Sequence, residues 1–183
     1  MRITKQLRHA TPLCGLAIAL AAPTLAAQQT MKPTVVTASA ISEAHALHDQ
    51  AEALRTSTIG KKDMKRAAKM HLHAADLRGE EAADNYTCIW TAAALYYGAG
   101  DNPRAASLLE RAADQAANRG DVVNAASALI DASSLASTMS LPERAVRLAR
   151  RAESLTTSPL LSDTQRAALR ARISGAREVA LAH

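Results

Sequence analysis

One pattern returns along this chain at a nearly fixed interval. Lys65-Arg66-Ala67-Ala68, Pro103-Arg104-Ala105-Ala106 and Glu143-Arg144-Ala145-Val146 align, and seven residues after each leading alanine stands another: Ala74, Ala112 and Ala152. From Ala67 to Ala105 the interval is 38 residues, and from Ala105 to Ala145 it is 40. A period of that length holds one helix–turn–helix unit, the sequence signature of an α-solenoid. This constrains the fold strongly, because each unit can bury its apolar face only against its neighbour.

Composition points the same way. The 183 residues include no Phe, one Trp and three Tyr, although 48% belong to the hydrophobic class, so the apolar bulk is mainly Ala and Leu. Those are strong helix formers with small or flexible side chains, suited to closely stacked helices and poorly suited to a sheet. The expected fold is all-α, within one domain.

The N-terminal text is of another kind. Arg2, Lys5 and Arg8 precede an apolar run from Leu13 to Leu20, and small residues surround Thr24-Leu25-Ala26-Ala27. This layout is that of a secretory signal peptide, residues 1–27, cleaved near Ala26 or Ala27. Its apolar run is too short, and too close to Pro23, to span a membrane as a helix of about 20 residues. The expected destination is the periplasm or the medium of a bacterium, with no membrane anchor after cleavage. Removing Arg2, Lys5 and Arg8 from the 22 basic residues leaves 19 against 17 acidic ones, about +2 in place of +5. With those charges interspersed, the mature chain lacks the clustered basic face that nucleic acid requires. Cys14 leaves with the signal, so Cys88 has no partner for an intrachain disulfide.

Residues 28–41 are polar, carry Pro33 and lack helical periodicity, and are expected to form a flexible linker. Seven helices are expected over 42–183: Ser42–Ser57, Lys62–Leu77, Ala82–Tyr97, a fourth from Asn102-Pro103 to Gly120, a fifth capped by Asp121, and two more. Ser140 with Glu143, and Ser162 with Gln165, have the capping-box spacing that would open the sixth and seventh. Fraying is expected around Gly175.

Ile89, Ala92, Ala93, Tyr96, Gly100-Asp101, Ala105, Leu109 and Ala112 together resemble the tetratricopeptide repeat, and Ala132, Ser133, Ala145, Ala149 and Ala152 echo it one unit later. The resemblance covers roughly Asp63 to Leu155. Two features depart from the family: a period longer than its usual 34 or so, and Trp90 one position past the motif's frequent Trp. The resemblance implies a right-handed α-solenoid of about three helix-turn-helix units plus a C-terminal capping helix. It also implies a concave groove lined by first helices. By register, Thr87, Trp90, Ala94 and Tyr97 would face that groove, followed by Ser127, Ile130, Asp131 and Ser134. A Trp–Tyr pair there would anchor a protein or peptide. The commoner use of such aromatics, filling gaps in an alanine core, is the competing reading for Trp90 and Tyr97.

Histidines offer a second chemistry. His45 and His48 lie three apart on one helix face. His48 stands 12 residues before Gly60 and His71 11 after it, so an antiparallel hairpin would set them at one height. His45, His48 and His71 are thus candidate metal ligands. The competing reading makes His71 a packing residue, in the slot of Leu109 and Ala149. Cys88 reads as a packed, inert thiol. Arg144, Arg147, Arg150 and Arg151 could form a positive strip, although charges on a helix are more often a solvated face laced by pairs one turn apart.

The chain has no G-x-S-x-G elbow, P-loop, dinucleotide fingerprint or paired-cysteine metal motif, and its acidic residues are scattered. The expected function is therefore an exported, non-catalytic protein- or peptide-binding scaffold without a cofactor. The alternative is a metal-binding helical bundle.

Overall fold

The computed structural model describes residues 36–57, 60–79, 82 and 84–181. The segment read as an export signal, and most of the expected linker, lie outside them. Among the described residues there are seven helices and no strand: α1 Ala38–Thr56, α2 Lys61–Arg78, α3 Asn85–Gly98, α4 Asn102–Asn118, α5 Val122–Thr138, α6 Pro142–Leu155 and α7 Asp163–Leu181. Each helix packs on the next in chain order, and α7 packs on both α5 and α6. None of these helices is long and apolar enough to cross a membrane.

The helix ends follow local chemistry with a few departures. Thr37 Oγ1 accepts from the Ala40 N–H at 3.2 Å, so α1 starts at Ala38 and takes the last four residues of the expected linker. Asp121 caps α5 through the Asn124 N–H at 3.2 Å. At α7 the box is reciprocal: Gln165 N–H donates to Ser162 Oγ at 3.2 Å and Ser162 N–H to Gln165 Oε1 at 2.9 Å. The box expected between Ser140 and Glu143 is not made. Ser140 instead sits at φ 57 as the left-handed residue that ends α5, and Leu141 precedes α6 with no side-chain cap. Nor does Gly175 interrupt α7, which runs through it to Leu181. Its α-carbon faces open space, so the glycine costs the helix only intrinsic propensity.

The turns between α3 and α6 share one construction. The N–H groups of Gly100, Gly120 and Ser140 donate to carbonyls three residues back (Tyr97, Ala117 and Ser137) at 2.9, 3.0 and 2.9 Å. Those of Asp101, Asp121 and Leu141 donate five residues back, to Tyr96, Ala116 and Ala136, at 2.8, 2.9 and 3.0 Å. This is the Schellman closure, whose left-handed residue here has φ 79, 75 and 57. One such turn every 20 residues gives the period near 40 its physical origin.

All six recurring alanines, Ala67, Ala74, Ala105, Ala112, Ala145 and Ala152, are buried. Ile89, Tyr96 and Leu129, with Leu95, Leu135 and Leu148, are among the larger side chains that fill the rest of the core. Polar groups also tie helices together: Ser133 Oγ, fully buried in α5, donates to the Ala145 carbonyl of α6 at 2.8 Å. Ion pairs join the even-numbered helices side to side. Asp76 of α2 meets Arg111 of α4 at 2.8 Å, Glu110 of α4 meets Arg144 of α6 at 2.6 Å, and Asp114 meets Arg151. Odd-numbered helices meet through the Tyr86 hydroxyl, which donates to the Asn124 carbonyl, and through the Arg172–Asp131 ion pair. The result is a stack of helical hairpins in two layers.

Candidate functional site

Between α3 and α5 lies a cleft of ≈ 280 Å³. Trp90, Ala94 and Tyr97 wall it from α3, Asp131, Ser134 and Leu135 from α5, and Leu109 of α4 lies behind. Trp90 and Tyr97 are a seven-residue step apart, two turns along one face, and remain 40% and 59% exposed. They do not plug the alanine core. A second depression, of ≈ 410 Å³, lies along α3 and shares Trp90 and Ala94 with the first, so the indole forms part of both walls.

The polar end of the cleft is built by three helices. Arg172 of α7 reaches Asp131 Oδ1 at 3.0 Å through Nη2 and Ser127 Oγ at 3.0 Å through Nη1. Burial raises the Asp131 pKa above its ordinary value, and this is opposed by the Arg172 charge and a hydrogen bond from the Trp90 indole. The cleft therefore offers apolar faces beside a carboxylate already held by two donors. Ser134 Oγ donates back to the Ile130 carbonyl at 3.1 Å, leaving its lone pairs to accept.

Of the groove residues expected from sequence, Trp90, Ala94, Tyr97, Asp131 and Ser134 come together here. Thr87 is exposed on α3 but does not line the cleft. Ile130 is 4% exposed and belongs to the core: about 100° around the helix from Asp131, it is turned into the packing. Leu135 lines the cleft, and Arg172 reaches its Asp131 wall from α7, neither having been legible from the sequence. Arg172 depends on α7 folding back over α5, and no motif announces that.

The expected hairpin register is realised. His48 and His71 lie ring against ring at 5.2 Å between centroids, at 75°. His45 is exposed and stands outside the group, while Cys88 of α3 joins it, with Sγ 3.8 Å from His48 Nδ1. One ligating atom from each of His48, His71 and Cys88 lies within 4.8 Å of the other two. Glu52, one turn after His48, brings Oε1 to 3.4 Å from His71 Nε2. His71 is 0% exposed, and neither of its ring nitrogens has a hydrogen-bond partner among the described residues. Desolvation lowers its pKa to about 4 against the pull of Glu52, so the ring is neutral at pH 7. Burial pushes the Cys88 thiol up, although Arg78 Nη1 donates to Sγ at 3.0 Å.

Two of the four α6 arginines are committed to ion pairs. Arg144 and Arg151 pair with acids of α4, across helices and not along one, and Arg147 and Arg150 flank them.

No protein-family model matches the chain, and comparison with curated proteins and with solved structures gives no match. The class that the fold itself defines is an all-α stack of consecutively packed helical hairpins.

Proposed function

We propose that the protein is an exported, non-catalytic scaffold that docks a peptide segment of another protein in the cleft between α3 and α5. The stack is read as a right-handed, tetratricopeptide-like solenoid of about three hairpins closed by α7. Its mechanism is presentation of preformed side chains, not chemistry.

The observation that carries this reading is the exposure of Trp90 and Tyr97 beside Asp131 and Ser134 in a chain that has so few aromatic residues. An apolar side chain of the segment inserts between the two rings. Its backbone N–H groups are answered by Ser134 Oγ and the free lone pairs of Asp131, which arranges an apolar centre inside a polar rim.

Trp90 is the chain's single tryptophan, so it reports directly on the cleft. Peptides selected from a random display library against the full chain should change its fluorescence on binding. Trp90→Ala should weaken the same peptides by about 2 kcal/mol or more by calorimetry, with helicity by circular dichroism unchanged. Selected peptides that bind Trp90→Ala as tightly as the parent would overturn the reading.

A further inference from the structure

We propose that His48, His71 and Cys88 form a binding site for one divalent ion of the zinc class, with Glu52 as the fourth ligand. The three residues come from three different helices: His48 from α1, His71 from α2 and Cys88 from α3. Two imidazoles and a thiolate are a donor set suited to a borderline-soft ion and unsuited to calcium or magnesium, which take oxygen.

Two observations separate this cluster from ordinary packing. His71 is fully buried, yet both of its ring nitrogens are left without a hydrogen bond. A buried polar atom in that condition costs about 1–3 kcal/mol, and an ion at the centre of the cluster would remove the cost for the nitrogen that faces it. Second, Glu52 Oε1 stands 3.4 Å from His71 Nε2, but the pair does not meet hydrogen-bond geometry. The contact therefore leaves the carboxylate and the imidazole nitrogen uncommitted to one another.

The distances fit a site that closes slightly on loading. With metal–nitrogen and metal–sulfur bonds of about 2.0–2.3 Å, adjacent ligands of a tetrahedral ion lie about 3.3–3.6 Å apart. The Cys88 Sγ to His48 Nδ1 separation of 3.8 Å is already near that value, and the remaining ligand atoms of the trio lie within 4.8 Å. Glu52 stands outside the trio and is held by Arg55 at 2.8 Å, so it reaches the fourth position by turning a flexible, half-exposed side chain.

Charge balances as well. A divalent cation, the Cys88 thiolate and the Glu52 carboxylate sum to zero, while the neighbouring Arg78 is countered by Asp84 at 3.6 Å. Loading exchanges the S–H bond for a metal–sulfur bond and releases the thiol proton to solvent, with no change in oxidation state. The Arg78 guanidinium then donates to the coordinated sulfur, the outer-shell contact that such ligands need.

Cobalt(II) titrated into the reduced, chelator-stripped full chain is the probe, with zinc as competitor. Expected are saturation at one ion per chain, a thiolate-to-cobalt charge-transfer band and displacement by zinc. Cys88→Ser should abolish the band. His48→Gln, at a half-buried position, should weaken binding at least tenfold with helicity by circular dichroism unchanged. His45→Gln should leave both unchanged, because that side chain stands apart. Binding that never saturates at one equivalent would sink the proposal, as would a band and affinity that persist in both Cys88→Ser and His48→Gln.

Discussion

Burial holds the His71 imidazole near a pKa of about 4, well under the ordinary histidine value, and this ties stability to pH in a definite direction. Between about pH 6.5 and 4 the unfolded chain binds a proton at this residue and the folded chain does not. Stability from this group is therefore complete above pH 6.5 and is lost as pH falls toward 4, by at most about 3 kcal/mol. Urea unfolding of the chelator-treated protein should show that loss, and His71→Gln should flatten it across the same interval. The His48–His71 contact was legible in the sequence, because counting outward from Gly60 fixes the register of an antiparallel hairpin. Cys88 was not. Its arrival depends on how α3 packs against α2 beside the α1–α2 hairpin, and neither residue spacing nor composition encodes that placement. The exposure of Trp90 was likewise open until the rotation of α3 about its own axis was known, since one residue step of about 100° separates exposed Trp90 from buried Ile89.

At the scale of the helix, capping chemistry could be read wherever one residue had one task. Asp121 caps α5, and the Ser162–Gln165 pair opens α7, as their spacing predicts. Ser140 had two tasks, opening α6 or closing α5, and the left-handed closure won because the α5 carbonyls needed its N–H and that of Leu141. A serine held at φ 57 bears a steric cost that Gly100 and Gly120 escape in the equivalent turns. Ser140→Gly should therefore stabilise the protein by about 0.5–1 kcal/mol, the relief of strain being partly offset by the greater freedom of glycine in the unfolded chain. The check is a higher urea midpoint with an unchanged slope.

Across the whole molecule, the alanine interval was the most legible feature, and it reports the distance at which hairpins stack. The ion pairs that accompany it were misjudged as contacts along single helices. They run between α2, α4 and α6, where their partners lie 34 to 37 residues apart in the chain. Exposed pairs of this sort contribute little each, about 0.2–1 kcal/mol, so close packing at the alanines carries the stack. Ala105→Leu should force neighbouring helices apart and cost about 1–3 kcal/mol, while Ala117→Leu on the exposed face of α4 should cost almost nothing, both read by urea unfolding.

Because the side chain at these positions is already the methyl group that substitution by alanine leaves, the usual survey of a protein by alanine substitution would pass over them without a signal. An alanine scan of this chain would report on Tyr96, Leu129 and the cleft, and would leave the seam between hairpins untouched. Removing the methyl as well would confound lost packing with the helix propensity of glycine, so a mutational map of this seam is best drawn by adding atoms.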